Sequence, residues 1–91
     1  MSYQFKTTPT FRRALSKLTA SQKTSAKVAF AMFKHDPFDP RLRTHKIHHL
    51  SARFKKTIYA VRVEDDLRSI FYLEGEKVIS IDIGTHAIYR S

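Results

Sequence analysis

The chain has no cysteine. That excludes a disulfide framework and any thiolate chemistry, so the core must form from apolar packing alone, with modest stability. No apolar run approaches the roughly 18–20 residues needed to cross a bilayer. The opening Met1-Ser2-Tyr3-Gln4-Phe5-Lys6 lacks the apolar stretch of a secretory leader. The expected compartment is the cytoplasm. Acidic residues are also scarce: eight Asp and Glu stand against 17 Lys and Arg, for a net charge of +9. The imbalance is lopsided, because residues 1–63 hold 14 basic residues against Asp36 and Asp39, whereas residues 64–91 hold three against six acids. Such a field concentrates polyanions, which makes nucleic acid or an acidic protein the expected partner. A basic balance by itself also suits a soluble protein with no such partner.

What is present is ordinary globular content. Hydrophobic residues make up 42% of the 91 residues, with seven Phe and four Tyr, enough for one domain over 1–91 and too little for two. Tyr3–Thr7 alternates apolar and polar residues, as a short strand does. Thr8-Pro9 then reads as a helix start, with Thr8 as N-cap and Pro9 in the first turn. Phe11, Leu15 and Leu18 form one apolar stripe. Thr19-Ala20-Ser21-Gln22 fits a capping box for a second helix that runs to about His35, with Ala26, Phe30 and Phe33 on its buried side, and Asp36-Pro37 stops it. The near absence of a linker predicts an αα-hairpin.

From residue 43 the pattern turns to strands. Thr57–Glu64, Leu67–Glu74 and Lys77–Ile83 are joined by hairpin-length connections and predict an antiparallel meander. His45–Leu50 reads as a further strand, followed by a basic loop over Ser51–Lys56. The fold class is therefore α+β: an N-terminal strand, an αα-hairpin, then a meander sheet with the helices packed on one face. A period of two assigns Tyr59, Val61, Val63, Leu67, Phe71, Leu73, Ile79, Ile81 and Ile83 to the helix side. Arg62, Arg68, Tyr72, Ser80 and Asp82 fall on the other side, mixed with Ile58, Ala60, Ile70 and Val78. The second face is where chemistry is expected. Gly84 is expected to end the last strand with a positive φ.

Three groups converge there on this reading. His45, Lys46, His48 and His49 precede the meander. Arg53, Lys55 and Lys56 lie in the basic loop, with Arg62 and Arg68 on the strands. Gly84-Thr85-His86-Ala87-Ile88-Tyr89-Arg90 closes the chain. Imidazoles, fixed cations and a phenol with few carboxylates suit metal-free cleavage of RNA. The 2′-hydroxyl must lose a proton, the leaving 5′-oxygen must gain one, and the transition state needs positive charge around its oxygens. Tyrosine can stack on a splayed base. Each element has a plainer reading beside this one. The histidines also suit an exposed edge, the Arg53–Lys56 cations a solvated loop, and Tyr89 a cap on the core. Arg68 also suits an ion pair with Asp66 or Asp82, and Asp66 a turn. With no Cys and no nearby Glu, no metal and no cofactor are expected.

The element order resembles that of the RelE/ParE toxin superfamily over essentially the whole chain. The residues carrying the resemblance are Leu42-Arg43-Thr44-His45-Lys46-Ile47, then Asp66-Leu67-Arg68-Ser69-Ile70-Phe71, then Asp82-Ile83-Gly84-Thr85-His86 with Tyr89. The texture is most similar to RelE-like and YafQ-like mRNA interferases. What the resemblance implies is the toxin of a type II toxin–antitoxin pair, an endoribonuclease that cuts mRNA on the ribosome and inhibits translation. An acidic, partly disordered antitoxin would cover its active face. Arg68 then matches a phosphate-binding arginine, His86 the terminal acid, Tyr89 the stacking aromatic, and His45 or His49 with Asp66 the histidine and aspartate of YafQ-like members. Lys55 and Lys56 would contact RNA, alongside Lys46, Arg53 and Arg62. Asp82 stands where several active members carry a basic residue. The same superfamily contains ParE-type gyrase inhibitors that cut no RNA, and a binding protein without toxicity is a further alternative.

Overall fold

The computed structural model describes residues 3–90; Met1, Ser2 and Ser91 lie outside the described residues, as does the side chain of Arg90, last of the C-terminal run. The chain runs β1 (Gln4–Thr7), α1 (Pro9–Ser16), α2 (Ala20–His35), a 3-10 turn (Pro40–Leu42) and β2 (His45–Lys46). It continues with α3 (His48–Phe54), β3 (Ile58–Glu64), β4 (Leu67–Glu74), β5 (Lys77–Gly84) and a C-terminal 3-10 turn (His86–Arg90). The sheet order is β1-β5-β4-β3-β2. β3, β4 and β5 form the expected antiparallel meander, and β1 joins it parallel to β5.

Local chemistry sets the helix starts. The Phe11 N–H donates to Thr8 Oγ1 at 3.1 Å, and the same hydroxyl donates to the Ile81 carbonyl at 3.0 Å. The Thr8 N–H reaches the Ser80 carbonyl at 3.1 Å, so one threonine caps α1 and fastens it to β5. At α2 both arms of the capping box form, Gln22 N–H to Thr19 Oγ1 at 3.1 Å and Thr19 N–H to Gln22 Oε1 at 2.9 Å. Such caps contribute about 1 kcal/mol each.

The core under α1 and α2 is aromatic. Phe71 is fully buried, stacked on Tyr59 at 5.3 Å between centroids and edge-on to Phe33 at 5.0 Å. Phe33 in turn meets Phe5 and Phe30, and Phe30 meets Phe11. Leu67 and Ile83 extend this layer toward α1.

Three sequence expectations are corrected. The first concerns His45–Leu50. Only His45 and Lys46 pair with β3, and the chain then turns into α3, which takes up most of the stretch read as a loop. Ile47 and Leu50 lie three apart, so a strand would send them to opposite faces and a helix to one. Both are buried in one cluster. Ser51 Oγ stabilises the turn by donating to the Ile47 carbonyl and accepting from the Ile58 N–H, each at 2.8 Å.

The second correction follows from the first. The sheet face opposite α1 and α2 is not an open polar surface. Ile47, Leu50, Ile58, Ala60 and Ile70 form a second buried core there, with Ile81, Ile88 and Tyr89 packed against it.

The third concerns β5. Ile70 pairs with Asp82 but Phe71 pairs with Ser80, leaving Ile81 as the extra residue of a bulge. Before the bulge the faces are therefore reversed from the period-two assignment. Val78 packs with the aromatic core, and Ser80 is buried opposite Phe71. Ile79 sits opposite Tyr72, and Ile81 joins the second core. Beyond the bulge Ile83 faces α1 as expected. The Ile81 carbonyl, which the bulge takes out of the ladder, is the one that Thr8 Oγ1 satisfies.

Candidate functional site

The β3–β4 hairpin brings Arg62 directly opposite Arg68, and Arg68 in turn faces Gly84 on β5. Two cations in register on one face repel each other, so the arrangement calls for anions. Part of the demand is met internally: Arg62 pairs with Asp65, and an Arg68 N–H donates to the Glu64 carbonyl. The remainder faces a cleft of about 420 Å³ lined by Arg43, His45, Arg62 and Arg68. Among the described residues, no acidic side chain lines it.

The C-terminal turn folds back beside this cleft. Gly84 makes that possible, but not through a positive φ, which among the glycines belongs to Gly75 alone. A Cβ on Gly84 would stand 2.7 Å from Ile88 Cγ2. The missing side chain is the space in which Ile88 seats on the second core. That seating presents His86 and Tyr89 to the Arg68 end of the sheet. His86 Nδ1 lies 2.9 Å from Asp66 Oδ1, and the His86 ring meets the Tyr89 ring edge-on at 5.4 Å. From α3, His49 Nε2 reaches the Tyr89 carbonyl at 2.7 Å. The Tyr89 hydroxyl is buried and has no hydrogen-bond partner among the described residues. Its burial raises the phenol pKa, with the Arg68 charge acting in the opposite direction. The hydrogen bond from His86 holds the Asp66 carboxyl below its ordinary range, and Arg68 adds to that.

These contacts fix the tautomers. A carbonyl or an ionised carboxylate can only accept, so each contacting ring nitrogen carries the hydrogen. His45 donates from Nδ1 to the Arg43 carbonyl at 2.9 Å, His49 from Nε2, and His86 from Nδ1. In the neutral rings the lone pairs are therefore on His45 Nε2, His49 Nδ1 and His86 Nε2. Three histidines with one prescribed nitrogen each are a set of proton donors and acceptors in waiting.

His45, His49, Arg62, Asp66, Arg68, His86 and Tyr89 thus gather at one end of one face. The other sequence candidates lie elsewhere. Lys46 is paired with Tyr59 and so shares its face, the α2 side. His48 is exposed at the start of α3. Lys56 lies 4.8 Å over the Tyr72 ring and 3.4 Å from Glu74. With Lys55 it marks the far end of β3, roughly 13 Å along the strand from Arg62 at about 3.3 Å per residue. Arg53 and Asp82 line a separate cleft beneath the C-terminal turn. Sequence reasoning missed Arg43 as a cleft residue. Its left-handed backbone, φ 50°, follows the Pro40–Leu42 turn and has no sequence signal of its own. Among the described residues, no three His, Asp or Glu stand close enough to share a metal ion. No helix among them is long and apolar enough to cross a membrane.

No family profile matches the sequence, and no curated protein does. Solved structures do. The archaeal RelE–RelB complex from Pyrococcus horikoshii matches with a TM-score of 0.71 at 14% identity, over 93% of this chain and 96% of that one. YafQ from Escherichia coli matches with a TM-score of 0.72 at 15% identity, over 99% and 100%. The RelBE2 toxin–antitoxin complex of Mycobacterium tuberculosis matches with a TM-score of 0.66 at 20% identity, over 93% and 99%. At these identities the likeness speaks for architecture, and the coverage makes it the architecture of the whole domain: this chain has the RelE/YafQ-like toxin fold.

Proposed function

We propose that the chain is the toxin of a type II toxin–antitoxin pair, and that it acts as a metal-independent endoribonuclease cutting mRNA on the ribosome. The observation that carries this reading is the acid-free cationic cleft flanked by histidines whose free nitrogens are prescribed. Arg62 and Arg68 hold the scissile phosphate, and their charge stabilises the extra negative charge of the transition state. A neutral histidine, His49 through Nδ1 or His45 through Nε2, takes the 2′-hydroxyl proton as that oxygen attacks phosphorus. Protonated His86 gives a proton from Nε2 to the leaving 5′-oxygen. Asp66 orients the His86 ring by accepting from its Nδ1. Tyr89 offers the edge of its ring to a neighbouring base. Lys46, Arg53, Lys55 and Lys56 are left to bind RNA away from the reacting atoms. The solved neighbours include complexes with RelB and DinJ, and the net charge of +9 suits an acidic cognate antitoxin. The expected compartment is the cytoplasm, where the message is.

The test is induction of wild type, His86→Ala and Arg68→Ala with primer extension on a reporter message. Growth arrest with in-frame cuts for wild type, and neither for the variants, is the expected result. Intact message under wild-type induction would rule the nuclease out.

A further inference from the structure

Asp82 is unexplained by that mechanism. It is a half-buried carboxylate on the same sheet face as Arg68, opposite Ile70, and the β5 bulge brings its neighbour Ile81 to that side as well. Its Oδ1 accepts the Ile83 N–H at 2.8 Å, which fixes the group, and burial raises its pKa. Among the described residues it has no ion pair, although Arg53 lines the same cleft. The cleft has a volume of about 430 Å³, within the range of small-ligand sites. Ile81 and Ile88 are among its apolar walls, Thr10 contributes a hydroxyl, and Phe54 stands at its edge. Phe54 is 46% exposed, unusual for a phenylalanine with a core beside it.

A carboxylate facing RNA weakens phosphate binding, so it needs another role there. Each feature of the cleft fits one part of a nucleotide: Arg53 the phosphate, Phe54 a base face, Asp82 hydrogen-bond donors on a base edge. A basic side chain from a protein partner would satisfy Asp82 but meet Arg53 as a like charge. Of the four bases, guanine alone presents two adjacent donors, N1–H and N2–H, to the two acceptors of a carboxylate. Adenine and cytosine place a ring nitrogen acceptor beside their amine, and uracil flanks its single N–H with carbonyls. We propose that the Asp82 cleft is a guanine-reading subsite, separate from the cleavage centre, which gives the nuclease its sequence preference. This inference rests on the RNA-cleaving reading for its biological use, but not for the binding itself.

The experiment is an amide-resolved NMR titration of the whole chain with 5′-GMP, 5′-IMP and 5′-AMP. IMP keeps N1–H and lacks the N2 amine. GMP is expected to shift the amides of Phe54 and Ile83 and to bind roughly tenfold tighter than IMP or AMP, since a good bidentate pair contributes discrimination of that order. Asp82→Asn keeps an oxygen for the Ile83 N–H but has only one carbonyl acceptor, and is expected to bind the three nucleotides equally. Equal binding by wild type, or shifts confined to the Arg62–Arg68 cleft, would overturn the subsite. Cleavage maps separate the two proposals. A nuclease whose cut sites show no guanine preference, unchanged in Asp82→Asn, keeps its mechanism and loses this subsite. Selective GMP binding by a protein that cuts nothing keeps the subsite and loses the nuclease.

Discussion

The two faces of the sheet are built differently. Under α1 and α2 lies a layer dominated by aromatic rings, with Phe71 at its centre and helices fixed by capped N-termini. Under α3 and the C-terminal turn lies a smaller, mainly aliphatic core, roofed by a seven-residue helix with no side-chain cap and a 3-10 turn. Every side chain assigned to cleavage is on the second face or at its end. The contrast teaches a division of labour. Large rings bury 150–250 Å² each and carry stability. The thinner face leaves room for polar groups that need water and substrate, and it depends on the thicker one to stay folded.

The sharpest way to break this division is to damage the thick face. Phe71→Ala is expected to cost about 3–5 kcal/mol, against a total of about 5–15 for a domain of this kind. Urea denaturation should then show a largely collapsed transition, and all binding and cleavage should go with it. Next in size is the reverse experiment. His86 is 57% exposed, so His86→Ala should move stability by no more than about 0.5 kcal/mol. Losing a proton donor in the transition state should nevertheless slow RNA cleavage by about 10²–10⁴. If His86→Ala unfolds the chain, or Phe71→Ala leaves cleavage intact, stability and chemistry are not divided between the faces.

The same division governs what could be read from the sequence. Thr8, the Thr19–Gln22 box and Asp36-Pro37 gave the helix boundaries because capping is a local interaction whose partners lie within four residues. The strands of the meander were legible from alternation and short turns. The second face was not, since α3 is only seven residues long and its signal reduces to Ile47 and Leu50 at a spacing of three. The β5 bulge was invisible for another reason: it is held by Thr8 Oγ1 from 73 residues away, and one extra residue reverses every assignment on one side of it. The arginines and His86 were legible as candidates. Their grouping, and the exclusion of Lys46, Lys55 and Lys56 from it, depended on register.

Gly84 ties the two faces together and sharpens the comparison at intermediate cost. It sits on β5, part of both cores, and its hydrogen is all that separates the strand from Ile88. Gly84→Ala should cost about 1–3 kcal/mol by overpacking, with the helix-side core unaffected. Hydrogen exchange should show faster opening confined to the C-terminal turn. Cleavage should fall with it, because His86 and Tyr89 move as a unit with Ile88. A stabilising Gly84→Ala would mean that the turn does not rest on the strand in solution.

The smallest effect is electrostatic, and three aspartates resolve it by sign. Asp39, which caps the Pro40–Leu42 turn beside Arg41, is held at about 2 by the hydrogen bonds that Arg41 donates. Asp66 is lowered by His86, whereas Asp82 is raised by burial. A lowered carboxyl contributes stability above its unfolded pKa of about 3.9, and that contribution disappears as pH falls through the folded value. A raised carboxyl does the opposite: its contribution is complete below the unfolded pKa and is lost as pH rises through the folded one. Carboxyl NMR titrations should therefore place Asp39 and Asp66 below the ordinary carboxyl range and Asp82 above it. Asp66 is largely exposed, so screening keeps its effect on stability small and the titration is the better readout. In His86→Ala, Asp66 should return toward the ordinary carboxyl range while Asp39 stays where it is. An unmoved Asp66 would show that the histidine and the carboxylate are not in contact in solution, and that His86 is oriented by the Tyr89 ring and the Gly84–Ile88 packing alone.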